Sequence, residues 1–346
     1  MQYKRKEQRG IFDEEFRLEK LSQTNDPLEK LNRRINWEMF RPMLEEDLKK
    51  EERGQGGCRP YDYVMMFKIM ILQRYYNLSD DKTEYAILDR LSFMRFLGLT
   101  LSDRVPDAKT IWNFREQLTR KGVIEKLFTL FNEELEQKGL MGKEGKMIDA
   151  TFVEVPIQRN TREENKQIKG GKIPEEWEKN QHKLSRKDTD ARWTKKNGKS
   201  FFGYKDHVKA DTKSKLIEEY IATDASVHDS RAVEGLLEEG DAGQSLYADS
   251  AYSGAPVAKV VEERKMINQI HEKGYRGHPL SDEQKERNKK KSKIRARVEH
   301  IFGFMENSMS GCFIRTVGKV RARAMIGLMN LTYNMFRALQ IGFTAA

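Results

Sequence analysis

The sequence is poor in the residues that build zinc sites and disulfide frameworks. Its 346 residues include only two cysteines, Cys58 and Cys312, and only six histidines. The cysteines are far apart and the histidines form no H-x-x-x-H pair, so neither a zinc site nor a disulfide framework is expected. No apolar run approaches the roughly 18 residues of a membrane-spanning helix, and residues 1–20 are charged throughout, unlike a signal peptide. These absences predict a cytoplasmic protein in a reducing compartment, with no membrane partner.

Positive charge is in excess. The 64 Lys and Arg residues against 54 Asp and Glu give a formal net charge of +10, and a soluble protein with such a balance commonly binds nucleic acid. Hydrophobic residues make up 38% of the chain, which is enough to fill cores, and 346 residues favour two domains over one. A nucleic-acid-binding protein is favoured, and a ribosome-associated or merely basic enzyme is the alternative.

The hydrophobic pattern changes near residue 140. Apolar residues recur at helical spacing through residues 1–140, with helix-start signals at Asp26-Pro27 and Val105-Pro106-Asp107. Within residues 141–346, strand-like segments come first and then alternate with helices. We therefore predict an all-helical N-terminal domain for DNA binding or dimerisation. We predict that an α/β domain follows, whose order of elements is compatible with a ribonuclease-H-like fold, a mixed sheet flanked by helices.

Two segments concentrate the positive charge. Residues 159–199 contain 13 Lys or Arg and 7 Asp or Glu, and few aliphatic residues. We expect a basic insertion at about residues 158–200 that builds no core of its own and is ordered only on DNA, the alternative being a solvated loop without function. Residues 287–297 contain seven Lys or Arg. They lead into a helix that the apolar spacing predicts over residues 289–306.

Three acidic residues occupy positions where a carboxylate is unusual. Asp149 lies inside the first predicted strand, where an ionised carboxylate is costly unless a cation or hydrogen bonds compensate it. Asp249 ends an apolar strand, where open α/β sheets place their ligands. Glu299 lies at the border of the apolar stripe of its predicted helix. Each has an ordinary alternative: the two aspartates could cap turns, and Glu299 could form an ion pair with Arg295 one turn earlier.

Together, the three carboxylates suit phosphoryl transfer between DNA strands. That chemistry needs positioning and charge neutralisation more than covalent help from the protein. Two divalent ions can supply it, and hard cations prefer oxygen ligands over histidine or cysteine. The sequence therefore indicates a site for two Mg²⁺ ions, for which Mn²⁺ could substitute.

Around these residues the sequence resembles the DDE transposases of the insertion-sequence-five type. The resemblance covers nearly the whole chain, including Arg59-Pro60 and Val105-Pro106-Asp107 in the helical region. The order of the matching motifs makes the set more specific than any one of them. The motifs are Met147-Ile148-Asp149-Ala150-Thr151, Phe202-Gly203-Tyr204-Lys205-Asp206-His207, Val227-His228-Asp229-Ser230, Tyr247-Ala248-Asp249-Ser250-Ala251-Tyr252 and Arg295-Ala296-Arg297-Val298-Glu299-His300-Ile301-Phe302-Gly303.

This resemblance implies a ribonuclease-H-like catalytic domain with Asp149, Asp249 and Glu299 as the catalytic, metal-binding triad and Arg295 as a helper arginine. It implies an enzyme that binds the terminal inverted repeats of an insertion sequence as a homodimer or larger oligomer, cuts them and joins them to target DNA. The alternatives are a nuclease of the same fold without strand transfer, and a DNA-binding protein whose triad is idle.

The chain departs from the family at two positions. The family often has Lys or Arg seven residues after the glutamate and Tyr three residues before the arginine, whereas this chain has Glu306 and Ser292. Both positions are thought to contact DNA, so the departure puts that local contact in doubt. It also makes Glu306 a rival for Glu299, which we prefer because it lies four residues after Arg295 in the matching motif.

Further side chains are candidates for contact with DNA. If residues 107–119 are the second helix of a helix-turn-helix, that helix would read DNA with its exposed side chains, while Trp112 and Phe114 lie in the core. His228 could act in catalysis or simply cap the turn after a strand. The DNA-binding candidates are Arg295, Lys205, His207, Lys291, Lys293 and Arg297, and on the helix Lys109, Asn113, Arg115 and Arg120.

Overall fold

The computed structural model describes residue 10 and residues 12–49, 60–196 and 198–343, so Cys58 and Arg59 lie outside the described part. The strands are β1 Gly145–Glu154, β2 Arg192–Lys196, β3 Lys199–Asp211, β4 Ile217–Asp224, β5 Ser245–Tyr247 and β6 Ile267–Asn268. The α-helices are α1 Asp13–Gln23, α2 Pro27–Arg34, α3 Arg41–Leu48, α4 Tyr63–Tyr75, α5 Asp80–Asp89, α6 Leu91–Leu97, α7 Ala108–Arg120, α8 Val123–Gln137, α9 Arg162–Lys169, α10 Glu175–Glu178, α11 Gln181–Leu184, α12 Val233–Leu236, α13 Ala255–Glu263, α14 Asp282–Arg295, α15 Glu299–Asn307 and α16 Lys319–Gln340.

The helical N-terminal region begins its helices where the sequence indicates. Asp26 caps α2, accepting a hydrogen bond from the Leu28 amide, and Asp107 caps α7 through the Thr110 amide at 2.6 Å. α5 and α6 follow one another closely, and Arg90, which has extended backbone angles (φ −113°, ψ 113°), separates them. No helix in the described ranges is both long and apolar enough to cross a membrane.

The sheet is mixed, and its central strand is β1. The order is β2-β3-β1-β5-β6, and β4 pairs with the C-terminal half of β3 beside β2. β3 is antiparallel to β1, β2 and β4, whereas β5 is parallel to β1 and β6 is parallel to β5. With helices against it, this sheet confirms the expected α/β, ribonuclease-H-like fold class.

The last helix joins the helical region to the sheet. α16 packs against α4, α7 and α8 and also against β4. A buried amide links these elements: Asn334 donates to the Asn132 side chain of α8 at 2.9 Å and accepts from the Ile217 amide of β4 at 2.9 Å. The apolar core is continuous through both regions, from Leu28 to Phe343.

The basic insertion between β1 and β2 has a small core of its own, contrary to expectation. α9, α10 and α11 surround Trp177, which is fully buried and donates from Nε1 to Glu164 Oε1 at 2.8 Å. Lys183 and Lys187 place their ammonium groups 5.7 and 4.9 Å from the centre of its ring. One large aromatic ring covered by lysine side chains replaces the aliphatic residues that the segment lacks.

Candidate active site

The register of two parallel strands brings Asp149 and Asp249 to the same edge of the sheet. Met147 of β1 is paired with Tyr247 of β5, and each aspartate lies two residues beyond its member of that pair. Asp249 also caps the short 3-10 helix after β5, because its Oδ1 accepts from the Ala251 amide at 2.8 Å. Asp249 therefore serves as the cap that the sequence allowed and also faces the cavity described next.

Glu299 lies across from the two aspartates, at the start of α15. The helix predicted over residues 289–306 is present with one irregularity: α14 ends at Arg295, a 3-10 turn spans Ala296–Val298, and α15 begins at Glu299. Glu299, Asp149 and Asp249 line one cavity of about 640 Å³. The rival Glu306 lies elsewhere, against the buried Cys312.

Arg295 connects two of the three carboxylates. Its Nη1 donates to Asp149 Oδ2 at 3.0 Å and its Nη2 to Glu299 Oε1 at 3.3 Å. Burial raises the pKa of Asp149 to about 6, and the negative charges of Asp249 and Glu299 act in the same direction, while Arg295 and the Ala150 amide oppose the rise. The ion pair that the sequence allowed for Glu299 is therefore present, and it extends to Asp149.

The donor set suits a hard divalent cation in chemical type, since it consists of carboxylate oxygens. Within the described ranges, however, no three Asp, Glu, His or Cys side chains converge tightly enough to form a metal site as they stand. Glu299 is the adjustable member, because its side chain is 60% exposed whereas that of Asp149 is 13% exposed. The three carboxylates therefore differ in freedom of movement, with Glu299 the most exposed of them.

A buried hydroxyl without a partner lies close to the same carboxylates. Tyr252 is 1% exposed, and its hydroxyl finds no hydrogen-bond partner among the residues that the structure describes. Burial and the charges of Asp149, Asp229 and Asp249 raise the pKa of Tyr252 well above its usual value. Tyr252 packs in the apolar cluster beneath these carboxylates, and its hydroxyl does not line the cavity.

One wall of the cavity is aromatic and basic, a feature that the motif search missed. Phe152 and Phe201 stack with ring centres 4.3 Å apart, and Lys199 lies 4.9 Å from the centre of the Phe201 ring. Lys196 lies 5.8 Å from the centre of the Phe152 ring. Both lysines are exposed and come from the β2–β3 hairpin. The sequence feature that could have indicated this wall is the pair Phe152 and Phe201, which lie on the predicted strands on either side of the basic insertion.

Three of the expected DNA-contacting residues are buried, which argues against direct contact. Lys205 donates to Asp229 at 2.7 Å, and His207 has no exposed surface. Burial lowers the pKa of His207 to about 4, so the side chain is neutral and offers no charge to a phosphate. Arg115 is also buried, and it donates to Asp80 at 2.8 Å through Nη2.

The other candidates remain accessible. On α7 the exposed residues include Lys109, Asn113 and Arg120. Trp112 was expected in the core, but it is 40% exposed. Phe114 is buried, as expected. In the segment before Glu299, the exposed residues are Lys293 and Arg297, while Arg295 and Lys291 are half-buried.

Two polar residues of the matched motifs have local structural partners. His228 caps the 3-10 helix Asp229–Ala232, accepting from the Ser230 amide at 3.3 Å, which is the capping role that the sequence allowed. Ser292, at the position where the family often has Tyr, is 3.3 Å from His271 Nε2 through its hydroxyl.

Comparison with known proteins matches both halves of the chain to transposase families. A family model described as a transposase domain matches residues 16–117, and a model described as a transposase DDE domain matches residues 141–335. Among solved structures, the chain is similar to a piggyBac transposase in a synaptic complex with hairpin DNA. The identity is 12% and the TM-score 0.46, over 91% of this chain and 75% of that one. A likeness this loose says nothing about individual residues.

Proposed function

Because the chain belongs to the transposase DDE domain family, we propose that it binds the terminal inverted repeats of a mobile DNA element and catalyses cleavage and transfer of their strands. The observation that carries this proposal is the single cavity lined by Asp149, Asp249 and Glu299. A strand, the segment after a second strand, and a helix supply these carboxylates from separate parts of the sequence, and the cavity wall is basic. This is the arrangement that metal-assisted phosphoryl transfer requires.

We assign Asp149, Asp249 and Glu299 as the ligands of two Mg²⁺ ions, with Mn²⁺ able to substitute. When bound, such ions activate the attacking hydroxyl group and stabilise the leaving oxygen. Arg295 holds Asp149 in position and neutralises it before the ions bind. Lys196 and Lys199 attract the backbone phosphates, while the stacked rings at the wall offer an apolar face to an unpaired base.

The DNA path extends from this cavity over two exposed basic surfaces. One is the segment before Glu299, with the exposed Lys293 and Arg297 and the half-buried Lys291. The other is the exposed face of α7, where Lys109 and Asn113 are joined by Trp112 and Arg120 in a recognition helix. In this assignment residues 1–140 bind DNA or dimerise and residues 141–346 catalyse.

Two finer assignments complete the proposal. The order and spacing of the motifs around Asp149, Asp249 and Glu299 favour the insertion-sequence-five type within the family. Cutting at both ends of an element requires two active sites, so we expect a homodimer or larger oligomer on DNA that also captures the target duplex.

The test is cleavage of labelled DNA that carries the ends flanking the gene in its own genome, with Mg²⁺ present. Asp149→Asn and Glu299→Gln should each slow cutting by about a hundredfold or more, the scale for removing one electrostatic stabiliser. Both variants should still bind the ends. The matched control is Glu306→Gln, which removes an equal charge from the same helix but outside the cavity, and it should cut normally.

The outcomes separate the candidate activities. Wild type that also joins a pre-cut end to a plasmid is a transposase, whereas wild type that cuts but never joins is a nuclease. Undiminished cutting by Asp149→Asn contradicts the proposed site, and loss of cutting in Glu306→Gln alone shows that the third carboxylate is misassigned. Ends that are bound but never cut would indicate an idle triad.

A further inference from the structure

A second cavity adjoins the candidate active site, and Glu299 lies in the wall of both. This cavity has a volume of about 470 Å³, and its other polar lining residues include Lys215, His300 and Arg337. Lys215 comes from the turn between β3 and β4, and Arg337 comes from α16. Neither residue belongs to the motifs that define the family resemblance.

Three cations converge on that one turn. Arg297 donates from Nη1 to the carbonyl oxygen of Thr212 at 2.8 Å, and Arg337 donates from Nε to that of Ser214 at 2.6 Å. Lys215 is the next residue, and its own carbonyl oxygen accepts from the Tyr333 hydroxyl at 2.8 Å. The two guanidinium groups are thus held in place by neutral acceptors.

The positive charge of this cluster is not balanced by protein carboxylates. Within the described part of the chain, Lys215, Arg297 and Arg337 form no salt bridge, whereas the buried Lys209 and Lys146 each have an acidic partner. Partial burial and the charges of Arg337 and Arg297 lower the pKa of Lys215, which shows that the three cations repel one another.

The nearby acids do not serve as partners for the cluster. Asp211 is buried within the turn and accepts from the amides of Lys213 and Ser214, and Glu299 is paired with Arg295. Lys215 and Arg337 line the open cavity, and the guanidinium of Arg297 is held on the same turn. Cations gathered in this way form a site for an anion.

We propose that this cavity binds a backbone phosphate of the DNA strand that is cut, next to the phosphate that enters the carboxylate cavity. The inference rests on the proposed function, because it takes the anion to be DNA. The exposed carboxylate of Glu299 repels a strand that passes it. Lys215 and Arg337, which line the same cavity as Glu299, offset that repulsion, and Arg297 adds positive charge from the neighbouring turn.

The experiment compares Lys215→Gln with Lys213→Gln in the full-length protein, both in the Asp149→Asn background so that the DNA stays intact. Lys213 is a matched control on the same turn, because its side chain is 72% exposed and paired with Glu144 at 3.3 Å. Affinity for the element ends is measured from low to high salt. Lys215→Gln should weaken binding severalfold and reduce the slope of log affinity against log salt by about 0.7–0.9, one phosphate contact. Lys213→Gln should leave the slope unchanged, and Lys215→Arg should restore it.

A scan with single methylphosphonates, which neutralise one phosphate at a time, locates the contact. Binding by the Lys213→Gln protein should be weakened by neutralisation at one position beside the cut, and the Lys215→Gln protein should be insensitive there. Equal slopes and equal scans for the two variants overturn the phosphate site while leaving the proposed function intact. Failure of the Asp149→Asn parent and the wild type to bind the ends at low salt overturns both.

Discussion

Asp206→Asn should make the protein more stable at alkaline pH. Asp206 lies on β3, has no exposed surface and accepts from Asn330 Nδ2 of α16 at 3.1 Å. Its Oδ2 and the Asn330 Oδ1 have no hydrogen-bond partner among the described residues. Burial raises the pKa of Asp206 to about 7. A protonated Asp206 can donate to Asn330 Oδ1 and satisfy both atoms, and an asparagine amide can do the same at every pH.

The magnitude follows from the two titration points. The folded carboxyl titrates near pH 7 and an unfolded one near about 3.9, so the folded protein binds more protons between these values. The free energy of unfolding of the wild type therefore falls as the pH rises through this interval, by up to about 4 kcal/mol, and is level above it. Relative to wild type, Asp206→Asn should gain roughly 1 to 2 kcal/mol at pH 5 and about 4 kcal/mol at pH 8.

Urea unfolding at the two pH values measures this difference. The control is Asp89→Asn, an exposed aspartate at the end of α5, which should change the free energy of unfolding by less than about 0.5 kcal/mol at either pH. A stability difference between Asp206→Asn and wild type that is the same at pH 5 and pH 8 would refute the reasoning, as would a less stable variant at pH 8.

Two further substitutions test the packing of β3. Lys209→Met removes a buried ammonium group that donates to Asp241 at 2.9 Å. The free energy of unfolding should fall by about 3 kcal/mol or more, because the substitution leaves Asp241 buried without its counter-charge. Chemical denaturation measures the loss, and a variant as stable as wild type would contradict the prediction. Gly203→Ala places a Cβ 2.2 Å from the carbonyl oxygen of Val153 at φ +150°. The free energy of unfolding should fall by about 2 kcal/mol or more. An unchanged melting temperature would show that β1 and β3 can move apart there.

Features that depend only on residues close in the sequence could be predicted from it. The caps at Asp26 and Asp107 were predictable because a cap needs only its own first turn. Asp149 and Asp249 were identifiable because each interrupts an apolar strand, and the parallel register then brings them together. Their assignment as metal ligands remains a prediction.

Features that depend on distant residues were not predictable. Tryptophan is usually buried and arginine exposed, but Trp112 is exposed and Arg115 is buried. Arg115 can be buried because Asp80 on α5 supplies a partner for it. The 3-10 turn before Glu299 left no mark in the apolar spacing, since its one buried residue, Val298, continues the apolar pattern of the helix. The cations around Lys215 come from three separate segments, so only the folded chain shows them as one cluster.

The last helix has a mechanical consequence. Because α16 is packed into the helical region and the sheet at once, it resists movement of one described region against the other. If α7 binds a specific sequence of the element end, the distance between α7 and the carboxylate cavity fixes the number of base pairs between that sequence and the cut. Inserting half a helical turn of DNA between the two would carry the scissile phosphate to the wrong side of the duplex.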